Sequence, residues 1–123
     1  MISIKSRIVE FVDYVDKTYK NNEKFFPDFQ KSEESKTQAE KIIHDTGDDK
    51  SEVVLDVKSS KEIDEIIYYL ISILLGNDLA SVLNMVYSKP EKGVAIFSKF
   101  QNVVAKIYEM NVAFNINKFN TKK

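Results

Sequence analysis

Residues 66–75 read IIYYLISILL, nine apolar or aromatic residues and one serine. No other stretch limits the fold as strongly. Ten residues are about half of what a membrane span needs, and Gly76-Asn77-Asp78 follows at once. The segment must therefore be covered by protein. Ser59 and Glu62 stand at capping-box spacing ahead of it. Ile63, Ile66, Ile67, Leu70, Ile71 and Leu74 recur at helical spacing, and Tyr68, Tyr69, Ile73 and Leu75 widen the stripe. The β-branched content also suits a strand. The capping box, the length and the Gly76 stop favour a helix. A helix apolar nearly all round is a buried one, so residues 61–75 are predicted to form the central element.

The segments around it repeat the pattern. Ile4, Ile8, Phe11, Val12, Val15 and Tyr19 form one stripe of an amphipathic helix over 4–19, with Ser3 as N-cap. FFPDF follows, where the proline pushes Phe26 out of helical geometry. Phe25, Phe26 and Phe29 either fold back over the core or form a hydrophobic hook for a partner. Thr37 with Glu40 is a second capping box, opening a short helix with Ala39, Ile42 and Ile43 that Gly47 would stop. EVVLDV has the composition of a strand, but a lone strand has no partner for its ladder. A short helix or irregular backbone is the expectation there. Asn77 or Asp78 caps a helix through Leu79, Val82, Leu83, Val86 and Tyr87. Ser88-Lys89-Pro90-Glu91 caps the last helix, predicted over residues 90–116. The chain therefore reads as one helical domain, 1–123, with a polar acidic connection at 28–58 and a frayed tail at 118–123. The fold class is all-α, a bundle of four to five helices with a long C-terminal helix. Three glycines and two prolines are too few for the turns of a β-sandwich or barrel.

Chemistry is scarce. There is no cysteine, which excludes disulfides, thiolate nucleophiles, Cys-ligated zinc and iron–sulfur clusters. The one histidine sits in HDTGDDKSE, residues 44–52, with four carboxylates. Glu40 and His44, at i and i+4, would make half of a metal site, with Asp45, Asp48 or Asp49 as a third ligand. The segment matches neither the EF-hand loop nor HExxH, and a solvated connection is the better reading. No carboxylate lies within an apolar stripe, and no glycine-rich phosphate loop is present. The expectation is a chain that is not an enzyme, with no catalytic residue, no metal and no cofactor.

Net charge is −1, unevenly laid out. Residues 28–65 hold 12 acids and 6 bases, a net of −6; residues 89–123 hold 7 bases and 2 acids, a net of +5. Arg7 is the only arginine, while isoleucine occurs thirteen times and alanine five, a usage that follows AT-rich codons. The opening MISIKSRIVEF lacks both an apolar h-region and a small-residue cleavage site. The expected location is cytoplasmic, the host cytoplasm for a viral protein.

What remains is binding. On a helix over 90–116 the apolar residues cover about half the circumference. Phe97 and Phe100 fall at the centre of that arc and would serve the core. Ile96, Val103 and Phe114 fall at its edge and, with Phe25, Phe26 and Phe29, are the candidate partner-binding residues. A protein partner is expected, and a second copy of the chain fits the same surface. The function read from this is a non-catalytic protein-binding module: an adaptor, inhibitor or assembly subunit, of the size and composition of a small viral, phage or bacterial immunity-type protein. The alternative is a nucleic-acid-associated helical subunit. Lys92, Lys99 and Lys106 are seven apart on one face, flanked by Lys89, Lys118, Lys122 and Lys123, and a lysine stripe holds phosphates without reading bases.

Overall fold

The computed structural model describes residues 1–20, 32–48, 52–88 and 90–117. A two-residue strand, β1 (Ile2–Ser3), turns directly into α1 (Ile4–Lys20). Ser3 is the cap read from the sequence: its Oγ accepts the amide of Ser6 at 3.3 Å, satisfying a donor that the helix start leaves open. Ile4, Ile8, Phe11 and Val15 are buried, as their spacing requires.

α2 (Glu33–Asp48) is longer than its sequence suggested. Its cap is Ser32, whose Oγ accepts the amide of Ser35 at 3.2 Å. Thr37 lies inside the helix and its hydroxyl donates to the carbonyl of Glu33 at 3.0 Å. Gly47 is helical as well and does not stop the helix. The acidic connection expected at 28–58 thus contains a sixteen-residue helix and, after it, a strand.

That strand is β2 (Val53–Val57), and its partner is β3 (Val112–Ile116). Both correct the sequence reading, and one error produced the other. The last helix, α5 (Pro90–Tyr108), does not reach residue 116. The Glu109 amide is shared between the carbonyls of Ala105 and Lys106, and Met110 N–H bonds to Ile107 at 3.0 Å. This is the tightened last turn of a helix that is ending. Beyond it Val112, Phe114 and Ile116 alternate with Ala113 and Asn115, a period of two. Read as the end of a helix, that segment leaves β2 without the strand it pairs with.

The sheet has the order β1-β3-β2. β3 runs antiparallel to β1, with Ile2 opposite Phe114, and parallel to β2, with Leu55 opposite Phe114. Parallel neighbours require a long crossover. Here it consists of α3 (Ser60–Leu75), α4 (Leu79–Ser88) and α5. Leu55, Val57, Val112 and Phe114 are buried on the inner face, while Val54, Asp56 and Asn115 are exposed on the outer one. A sheet of this kind covers the helices with one face. Among the described residues the all-α expectation becomes five helices with a small mixed sheet.

α3 is the central element. Ile63, Ile66, Ile67, Tyr68, Leu70, Ile71 and Leu75 are all buried. Ser59 caps it by accepting the Glu62 amide at 3.3 Å, and the Glu62 carboxylate reaches back to the amide of Lys58 at 2.7 Å. Gly76 ends it at φ 78, in the left-handed region. Asp78 then caps α4 through the amide of Ser81 at 3.2 Å and also accepts the buried hydroxyl of Tyr68. Burial, and then the Asp78 carboxylate, push that phenol well above its ordinary value. On the opposite side Arg7 joins α1 to Asp64 of α3 and to Glu10 at 2.9 Å. Burial raises the Asp64 carboxyl although Arg7 acts against it.

Among the described residues no single helix is long and apolar enough to cross a membrane; α3 and α4 pass such a test only as a pair bent by 72°.

Two substitutions test this arrangement. Phe114 is fully buried in β3, so Phe114→Ala should lower the free energy of unfolding in urea by about 3–5 kcal/mol. A surface position would lose almost nothing. Gly76→Ala meets no neighbouring atom, so its cost should be only that of the left-handed backbone, about 1–2 kcal/mol in the same measurement.

Candidate functional site

A concave apolar surface among the described residues lies between α1 and α5. It is a groove of about 300 Å³ lined by Val9, Val12, Asp13, Val15, Asp16, Phe97 and Phe100. Its geometry follows from α1. Val9, Val12, Asp13 and Asp16 stand at i, i+3, i+4 and i+7, one helix face. That face is turned from the core stripe of Ile4, Ile8, Phe11 and Val15 by about one residue. From α5 come Phe97, half-buried, and Phe100, buried, with ring centroids 5.9 Å apart. Val9 is 57% exposed, and Val94, on the α5 face of Phe97, is 69% exposed.

The polar lining is purely acidic, from Asp13 and Asp16. Asp13 lies 3.0 Å from Lys17 one turn on, and such an exposed pair contributes little. The described lining of the groove offers apolar contact and negative charge at one edge.

The residues expected to bind a partner are distributed otherwise. Phe25, Phe26 and Phe29 lie outside the described residues. Phe114 is in the core of the sheet and Val103 is buried under α5; both are corrected from interface to core. Ile96 is half-buried against the core. Phe97, expected to serve the core, packs half-buried against it and also lines the groove. The inversion has one cause: ending α5 at Tyr108 removes Phe114 from the helical wheel and shifts the centre of its buried arc toward Phe100, Val103 and Ile107. In the sequence the groove's signal is the apolar residues Val9 and Val94, which stand off the stripes of their helices.

The lysine face is only partly described. Lys89, Lys118, Lys122, Lys123 and the side chain of Lys92 lie outside the described residues. Lys99 and Lys106 are exposed. The ammonium of Lys99 donates to the carbonyl of Leu75 at 3.0 Å, so this lysine closes the C-terminus of α3.

HDTGDDKSE is also not a plain connection, since residues 44–48 form the last turn of α2. His44 Nδ1 lies 3.2 Å from Asp45 Oδ1, and its side chain is 77% exposed. Lys41 donates to Asp45 at 2.9 Å and, with His44, holds that carboxyl below its usual range. Among the described residues no three of His, Cys, Asp and Glu are grouped so as to hold a metal ion.

The split between wall and core is measurable. Phe97→Ala should cost about 1–2 kcal/mol, in proportion to a half-buried ring, and leave the far-UV circular dichroism unchanged. Phe100→Ala should cost about 3–5 kcal/mol. Equal losses would place both rings in the core.

Comparison with family models, with curated proteins and with solved structures finds no match for this chain.

Proposed function

We propose that this protein is a non-catalytic protein-binding module, an adaptor, inhibitor or assembly subunit, that takes an amphipathic helix of its partner into the α1–α5 groove. The observation that carries the reading is the groove itself: an apolar floor of Val12, Val15 and Phe100, a half-buried aromatic wall at Phe97, and exposed Val9 at the rim. Helix-in-groove recognition needs such a strip between two parallel ridges, filled by partner residues at i, i+3, i+4 and i+7. The carboxylates of Asp13 and Asp16 give the strip a sign. A partner helix whose apolar stripe is edged by lysine or arginine is favoured over one edged by glutamate, through orientation and on-rate more than through affinity.

The lysine-face alternative has less to support it. One of its three aligned lysines is engaged at the end of α3, and nucleic-acid binding spread over few phosphates would vanish at moderate salt.

A nuclear magnetic resonance titration tests the groove reading. The probe is a short leucine-striped amphipathic peptide edged with lysine, compared with the same peptide edged with glutamate. The lysine-edged peptide should shift the amides of α1 around Val9 to Asp16 and of α5 around Val94 to Phe100. Val9→Ser with Phe97→Ala should abolish the shifts without altering the fold. Shifts centred on Lys99 and Lys106 with a single-stranded oligonucleotide, and none in the groove with either peptide, would reverse the assignment.

A further inference from the structure

We infer that the outer edge of β2 is a pairing site for β2 of a second copy of this chain, in an antiparallel register centred on Leu55. This surface is separate from the α1–α5 groove, and the inference stands without it. β2 is an edge strand among the described residues. Val53 N–H bonds to Asn111 at 2.9 Å, and Val57 C=O accepts from Asn117 at 2.8 Å, so residues 53 and 57 face β3. Backbone groups alternate along a strand. The N–H and C=O groups of Val54 and Asp56 therefore point outward, away from the sheet.

Charged residues on an edge ordinarily keep copies apart. Here their order is self-complementary. Hydrogen-bonded antiparallel pairs form only between outward-facing residues, which leaves three registers with good overlap. Pairing Val54 with its own copy puts Glu52 against the copy's Asp56. Pairing Asp56 with its own copy opposes two carboxylates directly. Pairing Val54 with the copy's Asp56 avoids both clashes. That register also sets Glu52 opposite the copy's Lys58, twice by symmetry, and yields four backbone hydrogen bonds from Val54 and Asp56. Glu52, Val54, Asp56 and Lys58 are all exposed. Lys58 N–H is already held by Glu62 at 2.7 Å, so the ladder stops there while the lysine side chain remains at the edge. The product is a continuous six-stranded sheet with the helices of both copies on one face.

Sedimentation velocity of the full chain over a range of concentrations tests this. The wild type should show a monomer–dimer equilibrium. Val54→Pro removes an outward N–H without touching the ladder to β3, a substitution edge strands accept, and should leave only monomer. Glu52→Lys turns two attractive cross-strand pairs into repulsive ones and should raise the dissociation constant about tenfold. Glu52→Lys combined with Lys58→Glu should restore it. Circular dichroism checks that each variant is folded, and the charge-swap pair decides the matter if the proline variant is not. A monomer at every concentration, a dimer indifferent to Val54→Pro in its folded state, or a double swap no better than the single one would overturn the pairing.

Discussion

The insertion of β3 between β1 and β2 is the interaction on which the rest of the structure depends. β3 is the last described element, yet it is the middle strand, bonded to residues 2 and 3 on one side and 53–57 on the other. Its inner face carries Val112 and Phe114 into the same apolar cluster as Ile4, Leu55 and Ile63. Without β3, neither β1 nor β2 has a strand partner among the described residues, and the base of the helical layer loses its cover. Contacts of such sequence separation require the entropy of closing long loops before they contribute anything. The helical crossover reduces that demand, because capped and self-terminating helices bring the two ends of the connection toward each other.

The corner between α3 and α4 shows how this is done locally. Gly76 supplies the left-handed turn, Ser72 accepts the amide of Leu79 at 3.0 Å, Asp78 caps the next helix, and Tyr68 and Lys99 bond to the corner from α3 and α5. Each group meets a backbone or carboxylate demand that burial would otherwise leave open. The polar groups of the corner are satisfied, and Lys99 ties α5 to it. Between α1 and α5 the described lining of the groove takes in Phe100 and Val15 as well as Phe97 and Val9.

Most of the helical framework was legible in the sequence. Ser3, the Ser59–Glu62 pair, Gly76 and Asp78 all do what their chemistry implies, and the stripes of α1 and α3 are buried as their periods require. Legibility failed where two segments far apart in sequence need one another. Val53–Val57 and Val112–Ile116 are each five residues long, too short for period alone to separate strand from helix end. Neither can be assigned before the other. The same cause hid the site. With Phe114 placed on a helix, the apolar arc of α5 was centred on the wrong residues, and Phe97 appeared interior while Val103 appeared peripheral. Ser32 is hard to read as a cap, because the run from Ser32 to Lys36 has no apolar residue to announce a helix.

The fold depends on residues 112–116 forming a strand. Nuclear Overhauser contacts in the labelled protein test this directly. A strand in the described register gives strong sequential Hα–HN contacts through 112–116 and cross-strand contacts linking Leu55 to its neighbours across β3, and Ile2 to Phe114. Sequential amide–amide contacts running unbroken from α5 through Glu109 to Ile116, with no contact to residues 53–57, would contradict it. They would return Phe114 to a helix face and remove both the sheet and the edge that β2 presents.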